Sequence, residues 1–177
     1  MSRRWRLWMP LSVFLIFVGL AGYMLTKPKD ELVQSQMIGE PLPYFSLEPA
    51  VPGRAGLSSA DMKTGRPRLL NVFASWCLPC IAEAQQLQAL ADRGVSIDGI
   101  AIRDRREDVA AFLARHGNPY QRIGADDLSE VQIAIGSSGV PETFVIDGNG
   151  RITYQHIGDI RPEHVPMLLE KLAEAGS

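Results

Sequence analysis

Two cysteines three positions apart, Cys77 and Cys80, are the only thiols in this 177-residue chain, and they stand where one sequence pattern gives way to another. Upstream, LLNVFAS (residues 69–75) is a short, mostly apolar run beginning two residues after Pro67, as a buried strand would be. Downstream, Ile81, Ala84, Leu87 and Leu90 recur at helical spacing until Gly94. A strand that turns into a helix through FASWCLPC restricts the fold more than anything else in the chain. It requires an α/β arrangement with the thiols at the strand-to-helix junction.

A structural staple is a poor use for such a pair. Closing a loop of about four residues is worth roughly 2 kcal/mol in the chain-entropy account, against about 3 for fifteen residues. A chain that is 46% hydrophobic has a core to build without it. A metal clip would need about four ligands, and His116, His156 and His164 share no close spacing with one another or with the pair. No metal or other cofactor is expected, and the histidines are assigned to surface or packing positions. A peroxidatic cysteine would call for threonine three residues earlier, where Ala74 stands, and a covalent haem site would need histidine at position 81, which is isoleucine. Thiol–disulfide exchange fits the local physics. Cys77 would sit at a helix N-terminus, where unpaired N–H groups and the helix dipole favour a thiolate. Cys80, one turn on and more shielded, would resolve the mixed disulfide. Pro79 is tolerated in a first turn and stiffens the loop.

The remaining pattern reads as further α/β units. VSIDGIAI (95–102) is a second strand, and residues 105–116 form a helix on Val109, Phe112 and Leu113, stopped by Gly117-Asn118-Pro119. A short helix over 128–135 is capped by Asp126 or Asp127. Residues 143–147 and 151–156 form a hairpin about Asp147-Gly148-Asn149-Gly150, and Val165, Leu168, Leu169 and Leu172 mark a last helix. Residues 43–50 form a short strand before the first unit. Helices alternating with strands predict a sheet flanked by helices, with the hairpin as an antiparallel edge.

The N-terminus adds a second class of feature. Arg3, Arg4 and Arg6 precede an uncharged run from Leu7 to Leu25. Its nineteen residues would rise about 28 Å as a helix, close to the hydrocarbon thickness of a bilayer. The arginines place the N-terminus in the cytoplasm by the positive-inside rule and the rest of the chain outside. A cleaved signal peptide is the alternative, with Gly19-Leu20-Ala21 as its site, but the apolar run continues beyond it. The expected organisation is residues 1–25 as cytoplasmic tip and transmembrane helix, 26–38 as linker and 39–177 as the α/β domain. Without the three arginines the chain carries 15 basic and 20 acidic side chains, a formal −5, which argues against anionic membrane surfaces. No basic stripe points to nucleic acid.

FASWCLPC together with GVPETFVIDGNG (139–150) resembles the thioredoxin superfamily. LLNVFASWC, GNPY (117–120), HIGD (156–159) and the arginine-flanked anchor extend the resemblance to the membrane-anchored thiol:disulfide interchange proteins of cytochrome c maturation, the CcmG/DsbE family. The resemblance implies a thioredoxin-like fold, with a central mixed sheet flanked by helices, held in the periplasm on the inner membrane. It implies a disulfide reductase acting on the haem-attachment cysteines of apocytochrome c or on their thiol carrier. A membrane reductant relay of the DsbD type would re-reduce Cys77–Cys80. By position, Cys77 matches the attacking and Cys80 the resolving cysteine, and Trp76 the active-site tryptophan. Val140-Pro141 matches the cis-proline step, and Glu83 and Glu142 match acidic positions of the family's site. Plainer roles also fit: packing for Trp76, an ordinary turn for Pro141, a solvated helix face for Glu83 and an exposed strand start for Glu142. Asn71 stands where ordinary thioredoxins carry a buried aspartate for proton transfer, so that duty is expected to fall to Glu83. Leu78-Pro79 departs from the proline-first dipeptide common in the family, and so the reduction potential does not carry over. The rival readings are a general extracytoplasmic reductase, of copper-site cysteines for instance, and a redox-inactive docking module.

Overall fold

The computed structural model describes the backbone of residues 3–26 and 34–176, and the side chains of residues 8–24 and 34–176. The chain divides into two units, Met1–Leu32 and Val33–Ser177. The first contains helix α1 (Arg3–Thr26), whose apolar side chains, among them Phe14, Ile16 and Phe17, are exposed. Among the described residues no helix is long and apolar enough to cross a membrane. The side chains of Arg3, Arg4 and Arg6, both ends of the apolar run (Leu7 and Leu25) and most of the expected linker lie outside the described residues.

In the second unit β1 (Ser46–Leu47) pairs with β2 (Leu57–Ser58) as a small antiparallel sheet. Then follow β3 (Arg68–Phe73), α2 (Leu78–Asp92), β4 (Ile97–Ile102), α3 (Arg106–His116), β5 (Ile123–Asp126) and α4 (Glu130–Ala134). The chain closes with β6 (Glu142–Ile146), β7 (Ile152–Ile157) and α5 (Val165–Ala175). The main sheet runs β5-β4-β3-β6-β7, with β3, β4 and β5 parallel and β6 antiparallel to both of its neighbours. It is a mixed sheet flanked by helices: α5 lies on β6 and β7, and α2 packs against α3. Strands covered on both faces need no polar alternation, which is why β3 and β4 are buried along their whole length.

Three features differ from the sequence-based expectation. The fifth strand, β5, was not anticipated, because Gly124 interrupts its short apolar run. A Cβ at Gly124 would lie 2.7 Å from Cβ of Leu47, so the β1–β2 hairpin occupies the place of a side chain. The strand expected over 43–50 shrinks to Ser46–Leu47, yet it continues the edge: Ala50 N–H donates to Ile123 O and Ala125 N–H to Glu48 O. Ser35–Ile38, assigned by polarity to the linker, belong to the folded unit. Ser35 is buried, donates its N–H to Gln155 Oε1 at 2.6 Å and its hydroxyl to Ile135 O at 2.7 Å.

Candidate active site

β3 ends at Phe73 and α2 begins at Leu78, and the intervening turn carries both Trp76 and the first cysteine. Cys77 is the N-cap of α2, and its Sγ accepts the backbone N–H of Cys80 at 3.2 Å, with Pro79 in the first turn. The thiols are joined as a disulfide, their Cα atoms 5.3 Å apart. Cys77 is 4% and Cys80 2% exposed, so shielding hardly separates them. Position does: the N-cap sulfur alone receives a helix N–H, the arrangement that stabilises a thiolate. Around the pair Trp76 and Leu78 are exposed. The indole N–H of Trp76 donates to Arg103 O at 3.3 Å, which pins the ring beside the motif. Ser75 is held by Asp104, whose carboxylate accepts its N–H at 2.5 Å and its hydroxyl at 2.8 Å.

One turn beyond Cys80 on the same helix face, Glu83 is completely buried, so the solvated-face reading fails. Asn71 Nδ2 donates to its Oε1 at 2.9 Å and Ile160 N–H to its Oε2 at 3.1 Å. Burial is the main influence on this carboxyl, and it outweighs both donors to push the pKa up to about 7. Asn71, in β3, also donates to Thr143 Oγ1 at 3.0 Å and accepts the Tyr120 hydroxyl at 2.7 Å. Tyr120 in turn stacks on Phe73 with ring centroids 4.8 Å apart, and burial raises its own pKa well above the usual value. This pair lies over Gly99, where a Cβ would meet Phe73 at 2.9 Å and Tyr120 at 3.1 Å. A side chain there would force the two rings to shift.

Val140-Pro141 is a cis peptide. Glu142 opposes Val72 in the β3–β6 ladder, so the proline lies beside the end of β3 from which the cysteine turn departs. Glu142 is buried rather than exposed, at 1%. Its Oε1 accepts the N–H and hydroxyl of Ser138 at 3.0 and 2.6 Å, and its Oε2 accepts from Gln155 Nε2 at 2.9 Å. The two acidic positions therefore differ in kind: Glu83 lies on the helix of the thiols, and Glu142 ties the cis-proline loop to β7. Val140 shares a surface groove with Trp76.

Tyr120, Thr143, Ile160 and Arg103 contribute contacts here that sequence reasoning did not assign. GNPY pointed at Tyr120 without a role, and the backbone donor of Ile160 leaves no signature in residue type. The histidines pack: His116 lies against Phe112, and the rings of His156 and His164 are 4.6 Å apart. Among the described residues no cluster of potential ligands could hold a metal ion.

A dithiol at a helix N-cap with a raised-pKa acid one turn on can pass a disulfide through a mixed intermediate. The comparisons with known proteins agree with that chemistry. The Redoxin family model matches residues 37–172. The thiol:disulfide interchange protein DsbE of Vibrio cholerae is 37% identical over 96% of this chain and 96% of its own. HelX of Rhodobacter capsulatus, also a thiol:disulfide interchange protein, is 35% identical over 94% of each. A crystal structure assigned as DsbE from Chlorobium tepidum superposes with a TM-score of 0.62 at 27% identity, covering 79% of this chain and 98% of that one. The fold is thus thioredoxin-like, the chemistry is thiol:disulfide oxidoreduction, and the chain belongs to the Redoxin family, among its DsbE-type thiol:disulfide interchange proteins.

Proposed function

We propose that the chain is a membrane-anchored periplasmic oxidoreductase that reduces disulfides during c-type cytochrome maturation. The observation that carries the chemistry is the pairing of an N-cap sulfur, Cys77, with a buried acid, Glu83, one turn beyond Cys80. In the reducing direction the Cys77 thiolate attacks a client disulfide and one client sulfur leaves as thiolate. Cys80 gives its proton to the Glu83 carboxylate and attacks Cys77 Sγ, which releases the second client thiolate. The client gains two electrons and Cys77–Cys80 becomes the disulfide. A base with a pKa of about 7 is matched to a thiol near neutral pH. Trp76, Pro79, Val140, Pro141 and Glu142 shape the surface around the sulfurs, and a membrane reductant relay of the DsbD type returns the electrons.

The client and direction are supported by the DsbE and HelX likeness over nearly the whole chain. The anchor is supported by the apolar run from Leu7 to Leu25 behind three arginines, within a helix of 24 residues. Cells carrying Cys77→Ser as their only copy should lose most of their c-type cytochrome, while the variant itself accumulates normally. Undiminished cytochrome would contradict this client and favour a general reductase, of copper-site cysteines for instance. The full chain should stay with the membrane fraction through an alkaline carbonate wash, and its release would contradict the anchor.

A further inference from the structure

Two residues other than glycine have positive φ among the described residues, Arg103 at 45° and Ser129 at 58°, and they are bonded to each other. Arg103 Nε donates to Ser129 Oγ at 2.9 Å. This left-handed conformation is costly for any residue with a Cβ, and glycine would adopt it freely. The surroundings hold both residues to it. Both backbone N–H groups donate to Asp126 O, at 3.2 and 3.1 Å, while the Asp126 carboxylate accepts N–H groups of Glu130 and Gln132 in α4. Such over-determined strain marks a place where the side chain matters.

That place is the edge of the thiol site. A groove of about 390 Å³ runs between Trp76 and the cis-proline loop, lined among others by Ile102, Arg103, Ile133, Gly139 and Val140. Trp76 and Ile133 give it exposed apolar walls. Two of the arginines nearby are paired with carboxylates. Arg105 lies 3.6 Å from Glu107, Arg106 pairs with Asp127 at 2.8 Å, and Asp104 is occupied by Ser75 and the N–H of Arg105. Among the described residues no carboxylate pairs with Arg103. Its guanidinium keeps its terminal donors, in the planar fork that suits a carboxylate. Arg115, across the hollow on the other side of Trp76, donates to Ala111 O and adds a second positive charge.

We propose that Arg103 determines client specificity, selecting an extended peptide with an aspartate or glutamate beside the disulfide cysteine. An apolar neighbour in the peptide lies between Trp76 and Ile133. The proposal rests on the exchange reading of Cys77–Cys80, and its test separates the two. The reduced full chain in neutral detergent is given two synthetic peptides with the same internal disulfide, flanked by glutamates in one and lysines in the other. Hydroxyethyl disulfide serves as a small neutral substrate. The wild type should reduce the glutamate peptide roughly 3–5-fold faster than the lysine peptide at low salt, the size expected of one partly exposed charge pair. The ratio should shrink in concentrated salt. Arg103→Gly, which keeps the carbonyl that holds Trp76 and suits the backbone, should lose most of the preference, leaving only the part due to Arg115, and Arg103→Lys should retain more of it. A ratio within each variant cancels any general loss of activity. Equal rates for the two peptides in the wild type, or the same ratio in Arg103→Gly, would overturn the proposal. Failure of the wild type to reduce even hydroxyethyl disulfide would overturn the exchange reading beneath it.

Discussion

Glu83 carries its charge into the core on two N–H donors alone, and no cation pairs with it among the described residues. The shift of its pKa from 4.5 to about 7 gives stability a definite pH dependence. In the window between those values the folded state binds more protons than the unfolded one, so the contribution of Glu83 is complete below 4.5 and is lost as pH rises through 7. A shift of this size corresponds to about 3 kcal/mol. Urea unfolding of the oxidised protein should therefore show Glu83→Gln gaining up to that amount on the wild type between pH 4.5 and 8, and parallel profiles would contradict the buried acid. The same residue sets a kinetic expectation: resolution of the mixed disulfide should accelerate as pH rises through about 7, and the Gln variant should lose that inflection. Tyr120→Phe removes the donor to Asn71 Oδ1 inside the core. It should cost about 1–3 kcal/mol, measured by the same unfolding. Glu83 was singled out through Asn71, an amide standing where an acid was needed, and the structure bonds the two side chains. Tyr120 was not, because its partner lies 49 residues away and only the fold brings them together.

Among the elements, those with long regular patterns were readable: β3, α2, β4, α3, the β6–β7 turn and α5 all lie within a few residues of their expected places. β5 was hidden because its pattern depends on another element. Gly124 offers no side chain to a periodicity, and its reason for being glycine is Leu47 at the end of β1. Gly124→Ala should therefore be destabilising by about 1–3 kcal/mol, a fall of several degrees in Tm by calorimetry, although alanine is the better residue for most backbones. The partners that bury Glu142 were hidden for a related reason. The residue opens a strand in sequence, but Ser138 and Gln155 close over it, and Gln155 also accepts the N–H of Ser35. A chain beginning at residue 39 should thus unfold at lower urea concentration than one beginning at 33. The two Ser35 bonds are lost, and Gln155 loses a partner beside Glu142. Equal midpoints would show that the segment rides on the domain without supporting it.

For the molecule as a whole, the claim is that a thioredoxin-like unit exchanges disulfides through Cys77, with Cys80 as the resolving thiol. The fold would serve reduction or oxidation equally well, and what argues for reduction is likeness to DsbE and HelX together with the proposed place of the chain at the membrane. A Cys80→Ala variant keeps the N-cap sulfur and removes the group that releases the client. Expressed in cells at native level, quenched with acid and run without reductant, it should accumulate mixed disulfides joined through Cys77. These should collapse to the single chain on reduction and be absent from the Cys77→Ala, Cys80→Ala double variant. Adducts that persist in the double variant, or none in Cys80→Ala while Cys77→Ala forms them through Cys80, would contradict the assignment of the attacking sulfur on which the account is built.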